Sequence, residues 1–178
     1  MSEELTLDLY AYTERLNQRK LNLESWNFDV RVFEDKSNGI TKEDYFQLAL
    51  DESTADIVGF VDDDLVCRDP LWADRVLREF RENPMVGVVW FAGSDKNQYI
   101  GNIKGIEDYG KGFKGSCEAY AIDEMAFFVR RVSIERSGGW GPNHSIKFFY
   151  QWLWGAARDK GMGLRIVGIE LERVKDEK

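Results

Sequence analysis

The chain has 178 residues, enough for one domain with a sizeable core. Its 24 Lys and Arg against 32 Asp and Glu leave a formal charge of −8, a field that repels a phosphate backbone; with no long basic run, this argues against a nucleic-acid partner. Just 3 Pro and no biased tract argue against linkers, repeats and disordered tails, so one compact domain spanning 1–178 is expected. No apolar run approaches the roughly 18 residues of a membrane span, and no signal region opens the polar start Met1-Ser2-Glu3-Glu4. Cys67 and Cys117 stand far apart in sequence, and a reducing, cytoplasmic setting is expected.

In chain order, Leu5 to Tyr12 alternates apolar and polar residues before turning fully apolar, as a strand entering a core does. Thr13 to Trp26 is polar with Leu16, Leu21 and Leu23, and reads as an irregular helix. Phe28 to Phe33 alternates again and stops at a turn-forming cluster over 34–39. Thr41 caps a helix whose apolar side is Phe46, Ala49 and Leu50. Asp56 to Val61 is a short apolar run suited to a strand buried on both faces. Asp69 and Pro70 read as N-cap and first residue of a helix carrying Trp72, Val76, Leu77 and Phe80, which Asn83-Pro84 stops.

Met85 to Phe91 is the next strand, and 93–115, rich in glycine, reads as a long loop. Met125 to Val129 is a further strand. Ile146, Phe149, Tyr150, Leu153, Trp154 and Ala157 recur at helical spacing, with Gly161 placed to end that helix, and Leu164 to Leu171 closes as a strand. The alternation of strand and helix argues for an α/β fold with an open, mostly parallel sheet flanked by helices. Ligands bind such sheets beyond the carboxyl ends of the strands, where the acids after Phe33 and Val61 fall.

Asp62-Asp63-Asp64 directly after a buried strand concentrates repulsion where the dielectric is lowered. In extended backbone Asp62 and Asp64 point to one side and Asp63 to the other. Two carboxylates at a strand end suit a hard divalent cation, which can bridge a diphosphate leaving group. A solvated acidic turn would look the same in isolation.

The surrounding order of motifs carries more. Asp56-Ile-Val-Gly-Phe-Val-Asp-Asp-Asp-Leu-Val, a Pro-led helix and then Pro84-Met-Val-Gly-Val-Val together resemble family 2-like glycosyltransferases of the GT-A fold, in which an Asp-x-Asp ends a central strand. Glu124-Met-Ala-Phe-Phe-Val-Arg-Arg-Val-Ser-Ile-Glu-Arg-Ser-Gly-Gly-Trp140 is similar to the family's strand, Arg-Arg and Gly-Gly-aromatic segment, and 148–161 more weakly to the helix that follows. The resemblance implies a metal-dependent enzyme moving a sugar from a nucleotide-diphosphate donor, UDP-linked, to a hydroxyl of a glycan or other acceptor. It implies that Tyr12 and Thr13 hold the nucleoside and that Asp35 or Glu34 recognises the base. Asp62 would face the ribose and metal, Asp64 would bind Mn2+ or Mg2+ directly, and Asp63 would join the donor site or support it.

One departure bears on the reaction. The family's inverting members carry an acid after the Gly-Gly-aromatic segment as general base. Here Gly141 to Gln151 holds no carboxylate, and Gln151 stands where relatives put Asp. The substitutes are Asp123 and Glu124, ahead of Met125, and His144, the one histidine, as base or third metal ligand. Each has an ordinary reading too: surface acids flanking a strand, and an incidental loop histidine. Arg130 and Arg131 read either as phosphate-neutralising or as solvated strand-end residues, Cys117 as a thiol with nothing to activate it, and Trp152 and Trp154 as core or a sugar-stacking face. The alternative function is a relative that kept the metal acids, lost the base and binds a nucleotide sugar or glycan. A nucleotidyltransferase would need a glycine-rich phosphate loop, which Tyr12-Thr13-Glu14-Arg15 is not. The chain is shorter than most of the family, so an acceptor pocket is expected to be open, completed by a partner subunit in an oligomer, or absent.

Overall fold

The computed structural model describes residues 4–34, 42–122, 125–136 and 162–174. Strands β1 (Leu7–Thr13), β2 (Val30–Glu34) and β3 (Ile57–Asp62) come early, with helices α1 (Leu16–Glu24) and α2 (Lys42–Glu52) between them. After β4 (Leu65–Cys67) and α3 (Trp72–Glu82) come β5 (Val86–Trp90), β6 (Ala92–Ser94), β7 (Tyr99–Gly101), β8 (Ile103–Lys104), β9 (Ser116–Glu118) and β10 (Ala121–Ile122). The described chain ends with β11 (Ala126–Arg130), α4 (Arg131–Arg136), β12 (Gly163–Val167) and β13 (Leu171–Arg173).

The main sheet has 7 strands in the order β2-β1-β3-β11-β5-β12-β9. β2, β1, β3, β5 and β12 share one direction, while β11 and β9 run against their neighbours. The expected mostly parallel α/β sheet is therefore present. Its central strands β3, β11 and β5 are apolar on both sides because both sides are covered. Leu9, Ala11, Ile57, Val61 and Phe128 pack with Trp72, Val76 and Phe80 of α3 on one face, whereas Tyr10, Val58, Phe60 and Phe127 pack with Phe46, Ala49 and Leu50 of α2 on the other.

Several sequence expectations are corrected. Asp69 does not cap α3 directly; Leu71 occupies the cap position, and Asp69 Oδ1 instead accepts the Leu71 N–H at 2.9 Å in a turn leading in. The expected loop over 93–115 holds short strands, and β6 and β7 form a small sheet with β10. The expected strand Leu164 to Leu171 is two strands, β12 and β13. Gly168 lies between them, where a Cβ would come within 2.1 Å of the Phe113 carbonyl oxygen, so no side chain fits without moving backbone. Thr41, the helix expected over 146–157, Trp152, Trp154 and Gln151 lie outside the described residues. Among the described residues, no helix is long and apolar enough to cross a membrane.

Candidate functional site

The register of the sheet assembles the site. Tyr12 pairs with Asp62 and Thr13 with Glu34, so the carboxyl ends of β1, β2 and β3 meet at one edge. The Asp62 N–H donates to the Met125 carbonyl at 2.8 Å, which fixes the end of β3 against the residue preceding β11. Asp63 and Asp64 then form a tight turn into β4. This corrects the extended-strand expectation: the three carboxylates do not alternate across the sheet, and all line one cavity of about 350 Å3 together with Tyr12, Thr13 and Glu14. Arg15, Arg19 and Arg173 line the same cavity, so cationic groups offset the acidic cluster.

Asp63 and Asp64 have different neighbours. Thr13, 1% exposed, donates its hydroxyl to Asp63 Oδ2 and accepts the Arg15 N–H at 3.0 Å. Asn22 of α1 donates to the Asp63 carbonyl at 3.0 Å. Asp63 is thus tied to β1 and α1 by both its side chain and its backbone, the geometry of a supporting residue. Asp64 Oδ2 accepts from Arg173 Nε at 2.7 Å, and the Val174 N–H donates to the Asp64 carbonyl at 2.9 Å. β4 pairs with β13 so that Leu65 faces Arg173, which is why a residue 109 positions away reaches the turn. Asp64 Oδ1 is buried with no hydrogen-bond partner among the described residues.

Beside this polar cavity is an aromatic cluster. Tyr12 lies 4.5 Å from Tyr45 by ring centroids, Phe33 lies 5.4 Å from Tyr45, and a small void of about 10 Å3 between them also touches Asp62. Tyr12 borders both the void and the polar cavity, so an aromatic face adjoins the charged groups.

The structure therefore brings together Tyr12, Thr13, Asp62, Asp63 and Asp64, with Glu34 at the neighbouring strand end. Asp35, Asp123, Glu124 and His144 lie outside the described residues. Both readings of the paired arginines are corrected. Arg130 donates to the carbonyls of Phe80 and Val86, and Arg131 to those of Leu50, Ser53 and Ala55. They hold the ends of α2 and α3 at the opposite edge of the sheet, since Arg130 pairs with Ile57 at the start of β3. Burial pushes the Cys67 thiol up to about 11 and raises Cys117 as well, so neither is an activated nucleophile. Arg15, Arg19 and Arg173 were not legible as site residues: Arg15 and Arg19 sit in a polar helical stretch, and Arg173 lies past the segments that carry the family resemblance.

The fit to a divalent cation can be judged from the donors. Among the described residues, no group of three or more His, Cys, Asp or Glu gathers as a metal site. A cation bound with a diphosphate needs one or two protein carboxylates, phosphate and water oxygens supplying the rest. Asp62 and Asp64 are donors of that kind, and Asp64 Oδ1 offers an oxygen that no hydrogen bond among the described residues uses. The donor chemistry fits.

No family model matches the chain, and no curated protein matches it in sequence. Solved structures are similar to it in fold. The chain is similar to residues 1–349 of TarS from S. aureus in complex with UDP-GlcNAc, with a TM-score of 0.69 and 12% identity over 98% of this chain and 60% of that one. It is similar to the mannosyltransferase PcManGT from Pyrobaculum calidifontis in complex with GDP-Man and Mn2+, with a TM-score of 0.61 and 12% identity over 98% of this chain and 57% of that one. A197 from STIV is also similar, at a TM-score of 0.63 and 13% identity over 97% of this chain and 87% of that one. The chain has a GT-A-type glycosyltransferase fold. It spans about three fifths of TarS 1–349 and of the mannosyltransferase.

Proposed function

We propose that the chain is a metal-dependent glycosyltransferase that moves a sugar from a nucleotide-diphosphate donor, UDP-linked, to a hydroxyl of a glycan or other acceptor. The observation that carries this reading is the Asp62 to Asp64 turn at the carboxyl end of β3, lining a cavity of about 350 Å3 in a GT-A-type fold. That the similar structures were solved with UDP-GlcNAc or with GDP-Man and Mn2+ supports it.

In this reading Tyr12 and Thr13 hold the nucleoside, with Asp35 or Glu34 at the base. Asp62 and Asp64 would hold Mn2+ or Mg2+, Asp62 also meeting the ribose, while Asp63 keeps the turn in place through Thr13. The cation would supply charge neutralisation on the departing diphosphate. Asp123, Glu124 and His144 are the candidates to accept the proton of the attacking hydroxyl. The setting proposed is the reducing cytoplasm.

The test is release of UDP from UDP-sugars with Mn2+, which Asp64→Ala should abolish. Gln151, standing where the family places an acid, favours a second reading: a relative that binds nucleotide sugar or glycan without turnover. UDP binding with Mn2+, with no turnover of any donor tried, would decide for that reading and against transfer.

A further inference from the structure

We propose that the Asp64–Arg173 ion pair is a latch that withholds Asp64 from the metal until a nucleoside diphosphate occupies the cavity. The inference rests on the donor-site reading above and adds an order of binding to it.

The latch follows from how β13 is anchored. Leu65 faces Arg173 across the β4–β13 pair, and the Val174 N–H donates to the Asp64 carbonyl at 2.9 Å, so backbone hydrogen bonds bring the guanidinium to this turn. Arg173 Nε then reaches Asp64 Oδ2 at 2.7 Å. The preceding Glu172 pairs with Arg68 at 2.9 Å and does not compete for Arg173. The pair is unequal in exposure: the Asp64 side chain is 18% exposed and that of Arg173 42%, and Arg173 lines the same cavity as the acids.

Two consequences follow from charge. Asp64 Oδ1 accepts no hydrogen bond among the described residues, but the guanidinium on Oδ2 offsets part of the charge shared by both oxygens, so Oδ1 too is a poorer ligand for a bare cation. A diphosphate in the cavity offers the same guanidinium a bidentate, more highly charged partner. Transfer of Arg173 from Asp64 to the phosphates releases the carboxylate. Nucleotide and metal therefore each improve the other's binding, and the coupling is reciprocal. The opposing possibility is that Arg173 orients Asp64 as a metal ligand, in which case its loss weakens metal binding.

Calorimetric titration of the full chain separates these. Mn2+ alone, UDP alone and Mn2+ with UDP present are measured for wild type, Arg173→Gln and Arg173→Lys, with thermal melts confirming that each variant is folded. In wild type, Mn2+ alone should bind weakly and tighten when UDP is present. Arg173→Gln should bind Mn2+ alone about fivefold more tightly than wild type, the scale of a partly exposed pair, while its affinity for UDP alone falls. Arg173→Lys, which keeps the charge but not the fork, should keep the weak affinity for Mn2+ alone and lose part of the UDP affinity; if the glutamine variant does not fold, an unchanged UDP affinity in Arg173→Lys overturns the latch. Unchanged or weaker Mn2+ binding by Arg173→Gln would overturn the latch and leave the donor-site reading standing. Failure of wild type and both variants to bind either UDP or Mn2+ would overturn the donor-site reading and the latch with it.

Discussion

Identical side chains at 62, 63 and 64 have different surroundings, and a carboxylate's behaviour in this chain is set by its donors. Asp56 illustrates this away from the site. The Thr6 N–H and hydroxyl donate to its Oδ2 at 2.9 and 2.8 Å and hold its carboxyl below the ordinary value of 3.8. A folded-state pKa below the unfolded one means that the unfolded chain binds more protons in the window between them. The stabilisation is therefore present above 3.8 and is lost as pH falls through the lower folded value. Asp56→Asn should lower the urea midpoint at pH 7, and its gap from wild type should close as pH drops below 3.8; a gap independent of pH would rule out this origin. At this scale the aspartate triplet was legible because it follows an apolar run directly. Arg173 was not, because its partner is decided by strand pairing across 109 positions rather than by its neighbours in sequence.

Among elements, β3 carries the site because both of its faces are filled, and Gly59 is what lets them fill. A Cβ there would stand 2.5 Å from the Phe128 ring and 3.0 Å from Leu9 Cδ1. The ring cannot easily retreat, being packed against Phe91 and Trp72 at centroid distances of 4.9 and 5.6 Å. Gly59→Ala should cost about 1–3 kcal/mol, as overpacking a dense core does, and a thermal melt should fall by roughly 2–4 °C for each kcal/mol. An unchanged melting temperature would show that the sheet yields at this point. β3, β5 and α2 were readable from periodicity, since burial imposes one. The two- and three-residue strands within 92–104 were not, because glycines interrupt them and pairing to distant strands, rather than pattern, defines them.

For the molecule as a whole, ligand binding and unfolding share one equilibrium. If the donor site is as proposed, UDP with Mn2+ at a hundred times its dissociation constant adds about 2.7 kcal/mol to the folded state, or roughly 5–10 °C in melting temperature for a chain of this size. A differential scan with and without UDP and Mn2+ checks this; no shift at saturating concentrations would count against the donor site. The fold class was legible because strand and helix alternate early. The order of strands was not: nothing local reveals that β11 enters between β3 and β5. That insertion has a cost during synthesis. A growing chain completes β1, β2 and β3 long before residue 126 appears, and until then Ile57 to Val61 present an unpaired apolar edge to any other chain. At roughly 5–20 residues per second the edge stays open for some seconds of translation. A chain stopped after residue 122 should therefore sediment more than the full chain made alongside it, a difference read by centrifugation. β11 thus shields, late in translation, the β3 edge that would otherwise be open to another chain.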